Sequence, residues 1–513
     1  MPKPVRTPAK VPVFFGLLAG TAVAVFRKLP DPDLPWHLAV GRRVVATGSL
    51  IAGDPFSFTF PGKYSPYEYV SDVLLYAVHR SAPVLGLHFL LAACVAALLC
   101  LLWARRDRSS ETFELFALAL ALIALGPWLL VRPATFGFPI LAAELWLIER
   151  HRRGGGRLLL WLIPLQILWA NVHGFAVLGA GIIALYAVTA AKKDRGDAAA
   201  AVAATCLSSF GPAIFLGPLR VADHSRFITE WTPASYDLLV HYDPAALALM
   251  LLALAATIRS RDLFSRLLVL GCLAAALFRF RLTPIFVVAS APLIARELSP
   301  LCKGWRSAPW LAAAAGLAVP FGLTAQQVAP LGTGFDPAWL PVAACDFAEA
   351  HHLRGPVWNN LAFGGYLMWR FPDQKVFIDG RTAHLYTPEF MEEAWKAETD
   401  PVYFAELEKK YGLAWAMTDA RGGPFGLTLA RDNSWSMVYL DDRAAIYVNK
   451  NGPDAGVAPA YEVLRHLTTA GDLLASPPPL VPLRHDVALA AMQSPQSLHV
   501  RSWAAALAVM EKR

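Results

Sequence analysis

Long apolar runs separated by short polar breaks dominate the chain up to about residue 324. The runs lie at 11–26, 84–103, 112–131, 135–149, 158–170, 174–191, 198–218, 244–258, 263–278, 283–295 and 308–324. A membrane crossing takes roughly 17–25 helical residues. The pattern predicts about eleven spans, the shortest of which (135–149, 158–170 and 283–295) must borrow flanking residues or be re-entrant.

Beyond 325 the long runs stop. Residues 325–341 read as a linker, with Gly332 to Pro341 its clearest part. From 342 to 450 the period switches between helical and extended. Helices are predicted at 342–352, near 364–371, and over 388–397 and 401–411. Strands are predicted at Pro356–Trp358, Lys375–Ile378, Ala414–Thr418, Met437–Leu440 and Ala444–Val448. Residues 451–513 read as a helical extension, with helices over 459–475 and 483–511 separated by Pro477–Pro479. The expected fold is therefore mainly α. It has a polytopic membrane domain over 1–324 with a long first outer loop at 27–83, a small soluble α/β domain, and C-terminal helices.

Charge gives the chain a direction. Lys and Arg concentrate at 3–10, 105–108, 150–157, 192–195, 259–266 and 296–306, whereas the short loops between these carry Arg132, Arg220, Arg226, Arg279 and Arg281. Cytoplasmic loops carry the excess of basic residues. The N-terminus is accordingly expected inside and the domain at 342–450 outside. Lys3, Arg6 and Lys10 precede the first run, which is read as an uncleaved signal anchor because many spans follow it. Composition agrees: the chain is 56% hydrophobic and 17% charged, against about 45–50% and 25% for soluble domains. The net charge of +7 sits in these clusters, so no nucleic-acid partner is expected. The six cysteines form no CxxC pair, which argues against a zinc site, and only Cys345 lies in the domain expected outside, so no disulfide framework is implied.

The most informative polar segment opens the first outer loop, as Leu29-Pro30-Asp31-Pro32-Asp33-Leu34-Pro35-Trp36-His37-Leu38. Two carboxylates there can act as general bases or bind a divalent cation such as Mg or Mn. They can equally cap a short interfacial helix starting near Trp36. Other polar residues fall on the same predicted face: Glu68, Arg132, the Trp169 to Gly174 stretch with Asn171 and His173, Glu230-Trp231, and Arg279 with Arg281. One acidic loop and several arginines at one interface suit a lipid-linked phosphate substrate, with guanidinium groups pairing to phosphate oxygens. Each residue also has a plainer use. The arginines can snorkel to headgroups, Trp36, Trp169 and Trp231 can anchor the interface, His173 can be a satisfied core histidine, and Asn171 can cap the next helix. In the outer domain Asn359, Asn360, Asp379, Arg381 and His384 fall at expected strand ends, where α/β folds bind ligands. Gly364-Gly365 reads as a tight turn or as a close approach of backbone to a ligand, and Asp379-Gly380 as a turn.

Several of these motifs occur in an order that resembles the GT-C class of polytopic glycosyltransferases, in particular the bacterial branch similar to the Rgt-type lipopolysaccharide sugar transferases. The motifs are Asp31, Asp33, Trp36, His37 and Leu38; Gly48; Asp54 to Ser57; Glu68; Arg132-Pro133; Trp169 to Gly174; Glu230-Trp231; Gly364-Gly365-Tyr366; and Val376 to Arg381. The likeness spans about residues 10–450. Pro35 replaces a Trp of that pattern, and Tyr67 and Tyr69 flank Glu68 in place of His and Trp. The resemblance implies sugar transfer from a polyprenyl-phosphate donor to a lipid-linked or exported glycan or lipid acceptor. Asp33, then Asp31, would be the base. His37 and Glu68 would orient the acceptor, Trp36 would stack on a sugar, and Arg132, Arg279 and Arg281 would hold the donor phosphate. Two other classes fit the polar pattern: a transporter or flippase of a lipid-linked or anionic substrate, and a non-catalytic envelope assembly protein. The first would be expected to carry paired repeats, which the chain lacks.

Overall fold

The computed structural model describes residues 25–51, 53–60, 62, 66, 68–105, 111–154, 156–301, 330–421, 424–466 and 469–512. The predicted span at 308–324 and all but Val25 and Phe26 of that at 11–26 lie outside them. The chain divides into two compact units, Met1–Leu29 with Ser65–Gly334, and Pro30–Tyr64 with Phe335–Arg513. The predicted first outer loop is thus shared between them: 30–64 folds with the C-terminal part of the chain, and 65–83 with the helical part.

The helical unit is built around Thr283–Leu298, which is buried on nearly every side. It packs against Glu111–Leu125, Pro244–Arg259 and Leu263–Phe278. Pro83–Ala104 lies along Pro133–Gly154, and Leu162–Val172 and Ala176–Thr189 both pack on Arg195–Ala204. Two described helices, Pro83–Ala104 and Phe280–Leu301, are long and apolar enough to cross a membrane by length and composition. The other apolar helices of this unit run 10–17 residues, so the predicted count of about eleven spans exceeds what these lengths alone support. The run at 198–218 is not one helix. It stops at Ala204, and Gly211 (φ +55), Pro212 and the Gly217-Pro218 pair break the rest into short helical pieces, Gly211–Leu216 and Gly217–His224.

Small residues let this unit close. Trp169 is fully buried, so it is a core residue and not an interfacial anchor. A Cβ on Gly137 would lie 2.7 Å from its Nε1, and one on Gly179 would lie 2.4 Å from its Cζ3 and 2.8 Å from Glu144 Oε2. The side chain of Glu144 is itself buried.

The second unit centres on a four-stranded sheet: β1 (Val357–Asn359), β2 (Trp415–Asp419), β3 (Trp435–Leu440) and β4 (Ala444–Asn449), in the order β1-β2-β4-β3. β1 and β2 are parallel, β4 is antiparallel to both of its neighbours, and a bulge interrupts β3 between Met437 and Tyr439. Helices Val342–Ala350, Leu361–Arg370, Pro388–Thr399 and Pro401–Tyr411 occur near their predicted places. Three expectations fail. Lys375–Ile378 is not a strand of the sheet: it makes one bridge, Val376 to Ser57. Residues 459–475 form only the short Leu464–His466 turn and the Ala470–Ala475 helix, and 483–511 is two helices, Leu480–Gln493 and Leu498–Met510. Pro424–Arg431 is a helix where none was predicted.

Gly364 and Gly365 lie inside the Leu361–Arg370 helix and so make no turn. Cβ atoms there would meet Ile378 O at 2.0 Å and Pro32 O at 2.8 Å, respectively. The pair lets backbone pack on backbone on both sides of the helix. This brings the Leu34–Thr47 helix, whose first half is buried, against Leu361–Arg370. Arg42 ties the two further, donating to the carbonyls of Met368 (3.2 Å) and Trp369 (3.0 Å) and lying 4.5 Å over the Trp369 ring.

Candidate functional site

In the second unit the acidic motif is a structured turn. Asp33 occupies the N-cap position of Leu34–Thr47, yet its side chain makes no capping bond. Its Oδ1 accepts from Trp36 Nε1 at 3.2 Å, and Asp31 Oδ1 accepts from the Asp33 backbone N–H at 3.0 Å. Capping therefore does not account for either carboxylate. Asp31 is buried, whereas Asp33 is half-buried and reaches solvent. Trp36 and His37 are also buried, with ring centroids 3.5 Å apart. Their packing fixes the Trp36 indole that holds Asp33. Gly380 provides the other wall: a Cβ there would fall 2.5 Å from Asp33 Oδ1 and 3.1 Å from Trp36 Nε1.

That wall is held by a buried ionic network. Arg381 donates to Asp379 through Nε and Nη2, both at 2.7 Å, and to Asp54 through Nη1 (2.6 Å) and Nη2 (3.3 Å). All three side chains are at most 1% exposed. Asp54 also accepts from the backbone of Phe56 and Ser57, and Arg381 lies 5.2 Å over the Phe56 ring. Tyr386 donates to Asp379 at 3.0 Å. Burial, and then the Asp379 carboxylate, push the Tyr386 hydroxyl well above its ordinary range, so it stays a donor. The backbones of 56–58 and Val376 exchange hydrogen bonds, and Thr59 Oγ1 donates to Phe377 O at 2.6 Å. Asn359 clamps the same segment, donating to Ile378 O (2.7 Å) and accepting from Phe377 N–H (2.9 Å), while Asn360 caps Leu361–Arg370. Asp379, Arg381, Asn359 and Asn360 thus build the unit; as buried or capping groups they do not present a ligand surface at strand ends. The two motifs at Asp54 to Ser57 and Val376 to Arg381 are halves of one structure.

In the helical unit three predicted residues come together. Arg132 Nη2 donates to Glu230 Oε1 at 3.1 Å, and Arg281 pairs with Glu230 Oε2. Arg281 also lies 5.5 Å over the Trp231 ring. The loop positions are set by Phe280, whose ring meets Trp128 (5.2 Å) and Tyr242 (6.1 Å) and whose N–H donates to Thr232 O. Arg132 is buried and Glu230 is 36% exposed on its side chain, so the cluster has a wet side. Arg279 stands apart. Its guanidinium folds over Phe278 at 4.3 Å and donates to that residue's carbonyl.

Glu68 and His173 form a second contact in this unit, with His173 Nε2 3.2 Å from Glu68 Oε1 and both side chains under 10% exposed. The Phe175 N–H donates to His173 Nδ1 at 3.0 Å, so Nδ1 is the acceptor and Nε2 carries the proton toward Glu68. Ser71, which sequence reasoning did not single out, donates to Val172 O at 2.8 Å and pins the two segments together. Asn171 does not cap the next helix. Its amide donates to Ile167 O (2.8 Å) and Leu207 O (2.9 Å), tying the Leu162–Val172 helix to the turn after Ala204.

Among the described residues no group of three or more His, Cys, Asp or Glu side chains is disposed to hold a metal ion. The nearest approach to a donor set in the motif, Asp31 with Asp33, spends an oxygen of each on the hydrogen bonds above.

No protein-family model and no curated protein matches the chain. Solved structures do. The Archaeoglobus fulgidus oligosaccharyltransferase, tethered with an acceptor peptide containing the NVT sequon, aligns at TM-score 0.58 and 12% identity, over 86% of this chain and 74% of that one. AglB from the same organism, in complex with an inhibitory peptide and a dolichol-phosphate, aligns at 0.56 and 12%, over 88% and 75%. ArnT from Cupriavidus metallidurans bound to undecaprenyl phosphate aligns at 0.52 and 13%, over 88% and 99%. The chain has the GT-C glycosyltransferase fold.

Proposed function

We propose that the protein is a membrane glycosyltransferase that moves a sugar from a polyprenyl-phosphate donor to a lipid-linked or exported glycan or lipid acceptor. The observation that carries this reading is the GT-C fold shared with AglB and ArnT over most of the chain, seen with dolichol-phosphate in one and undecaprenyl phosphate in the other. The reading puts the chain in a bacterial inner membrane with about eleven crossings, the N-terminus inside and 342–450 outside. The Rgt-type motifs favour a cell-envelope acceptor.

The residues take separate roles. Arg132 and Arg281 bind the donor phosphate, which replaces the Glu230 carboxylate that they share in this structure. Phosphate suits two guanidinium groups better than one carboxylate does, because it offers more acceptor oxygens and more charge. Asp33, held by Trp36 and open to solvent, takes the proton from the acceptor hydroxyl. The acceptor oxygen bonds to the anomeric carbon as the bond to the phosphate oxygen breaks, and polyprenyl phosphate leaves with its charge stabilised by the arginines. Asp31 orders the Asp33 backbone and is the reserve base. His37 supports Trp36, while Glu68, His173 and Asn171 shape the end of the Leu162–Val172 helix for the acceptor.

Donor binding tests the phosphate assignment. Charge-assisted hydrogen bonds contribute about 1.5–3 kcal/mol, so Arg132→Gln and Arg281→Gln should each weaken binding of a polyprenyl-phosphate sugar about tenfold to a hundredfold. Arg279→Gln should change it little. Equal affinity in all three variants would remove the arginines from the donor site. Donor binding without transfer to any acceptor would favour a flippase.

A further inference from the structure

Arg132 sits at the start of the Pro133–Gly154 helix. The other end of that helix, about 30 Å away along 22 residues, closes on a cavity of about 490 Å³. Three sequence segments that the proposed function leaves unused meet there: 151–154, 186–194 and 262–264. All three belong to the helical unit; the first two carry basic residues, and the third lies between Arg261 and Arg266, in the runs expected on the cytoplasmic side.

The charges in this cavity are not balanced. Asp262 is taken by Arg152 in a two-pronged pair (2.9 and 2.5 Å) and by Ser265, and Arg152 holds its carboxyl well below the usual range. Asp194 lies 3.2 Å from His151 Nε2 and accepts from the Tyr186 hydroxyl at 3.3 Å. Both carboxylates are therefore used internally, and they hold Arg152 and His151 in fixed positions. Arg152 is further packed 5.4 Å over the Phe264 ring, and His151 Nδ1 lies 3.1 Å from Gly156 O. Arg153 and Lys193 also line the cavity, are exposed, and have no acidic partner among the described residues. Three permanently charged cations, Arg152, Arg153 and Lys193, against two anions leave a surplus positive charge before His151 is counted. A polar space with one oriented guanidinium group, that of Arg152, and two spare cations beside it is matched by an anion of several oxygens.

We infer that this cavity binds a phosphoryl group, carried either by the headgroup of an anionic lipid or by free phosphate. Basic pockets between helices on the cytoplasmic side are where such headgroups are held. The site lies at the opposite end of the helix from Arg132, so it is separate from the proposed donor site and stands whether or not that assignment holds.

The test is native mass spectrometry of the full-length, delipidated protein titrated with phosphatidylglycerol or phosphatidylcholine, with inorganic phosphate as competitor. The comparison is wild type against Arg153→Gln/Lys193→Gln, with Arg266→Gln as a control for an exposed cation at the same end that does not line the cavity. Both substituted side chains are exposed, so the double variant keeps its fold; Lys193→Gln alone serves if it does not. Wild type should prefer phosphatidylglycerol, and the double variant should lose about tenfold or more in its affinity, with the control unchanged. Loss of lipid binding that phosphate does not compete with assigns the lipid headgroup. Competition by phosphate, itself weakened in the double variant, assigns free phosphate. Equal affinity for the two lipids together with no phosphate effect, or no difference between the double variant and wild type, overturns the inference.

Discussion

Arg381 is the residue whose loss should reveal most about how the second unit is held together. Asp54, Arg381 and Asp379 are all at most 1% exposed and together carry a net charge of −1. Replacing Arg381 by Met leaves two buried carboxylates without their cation. Breaking a buried pair in this way costs about 3–5 kcal/mol. Replacing Asp54 by Asn does the reverse, leaving one Arg with one Asp and a neutral cluster. Its cost is the weakened acceptance from Phe56, Ser57 and Arg381, about 1–2 kcal/mol. For a unit of about 210 residues, each kcal/mol moves Tm by about 2–4 °C. Arg381→Met should therefore lower the melting temperature of the full-length protein by about 6–20 °C, and Asp54→Asn by about 2–8 °C. Thermal unfolding in detergent, followed by tryptophan fluorescence, measures both. An Asp54→Asn loss as large as that of Arg381→Met would refute the charge argument. So would an Arg381→Met protein as stable as wild type.

Two glycines should separate stability from chemistry. Gly364→Ala puts a methyl group 2.0 Å from a backbone carbonyl and should cost about 1–3 kcal/mol or more, read as a lower Tm. Gly380→Ala meets side chains rather than backbone, Asp33 Oδ1 at 2.5 Å and Trp36 Nε1 at 3.1 Å, so it should lower Tm less than Gly364→Ala does while lowering sugar transfer more; the ratio of the two effects checks it. Glu398 is pushed up to about 7 by burial and then by Asp419. Its raised folded value means that its stabilising contribution is full below the unfolded value, about 4.3, and is lost as pH rises through about 7. The Tm of wild type should fall across that window more than that of Glu398→Gln, as measured by melts from pH 4 to 8.

Much of the helical layout and most of the sheet were legible because both rest on local periodicity. Every predicted strand from Ala414 onward occurs within a few residues, and the Asp31 to Leu38 motif opens a helix close to Trp36 as expected. What failed depended on distant partners. Lys375–Ile378 has a strand's composition, but its neighbour is a loop residue, Ser57, more than three hundred positions away. Gly364-Gly365 reads as a turn until the backbones of Pro32 and Ile378 are placed against it. The outer-domain residues Asp379 and Arg381 were visible as a motif, as was Asp54, but not as one another's partners. Local pattern could not show that the carboxylates were already spent on a structural arginine. In the helical unit Arg132, Glu230 and Arg281 were all singled out and do meet, whereas Arg279 shares their motif and turns away.

The central claim is that Asp33 is the base of a sugar transfer. Its most direct test uses purified protein in lipid, polyprenyl-phosphate donors carrying radiolabelled sugars, and a candidate acceptor, with wild type compared with Asp33→Asn. The account predicts that Asp33→Asn binds donor as wild type does but loses transfer by at least about a hundredfold. Transfer by Asp33→Asn at the wild-type rate would contradict it, as would a well-folded wild type that binds no donor of this class.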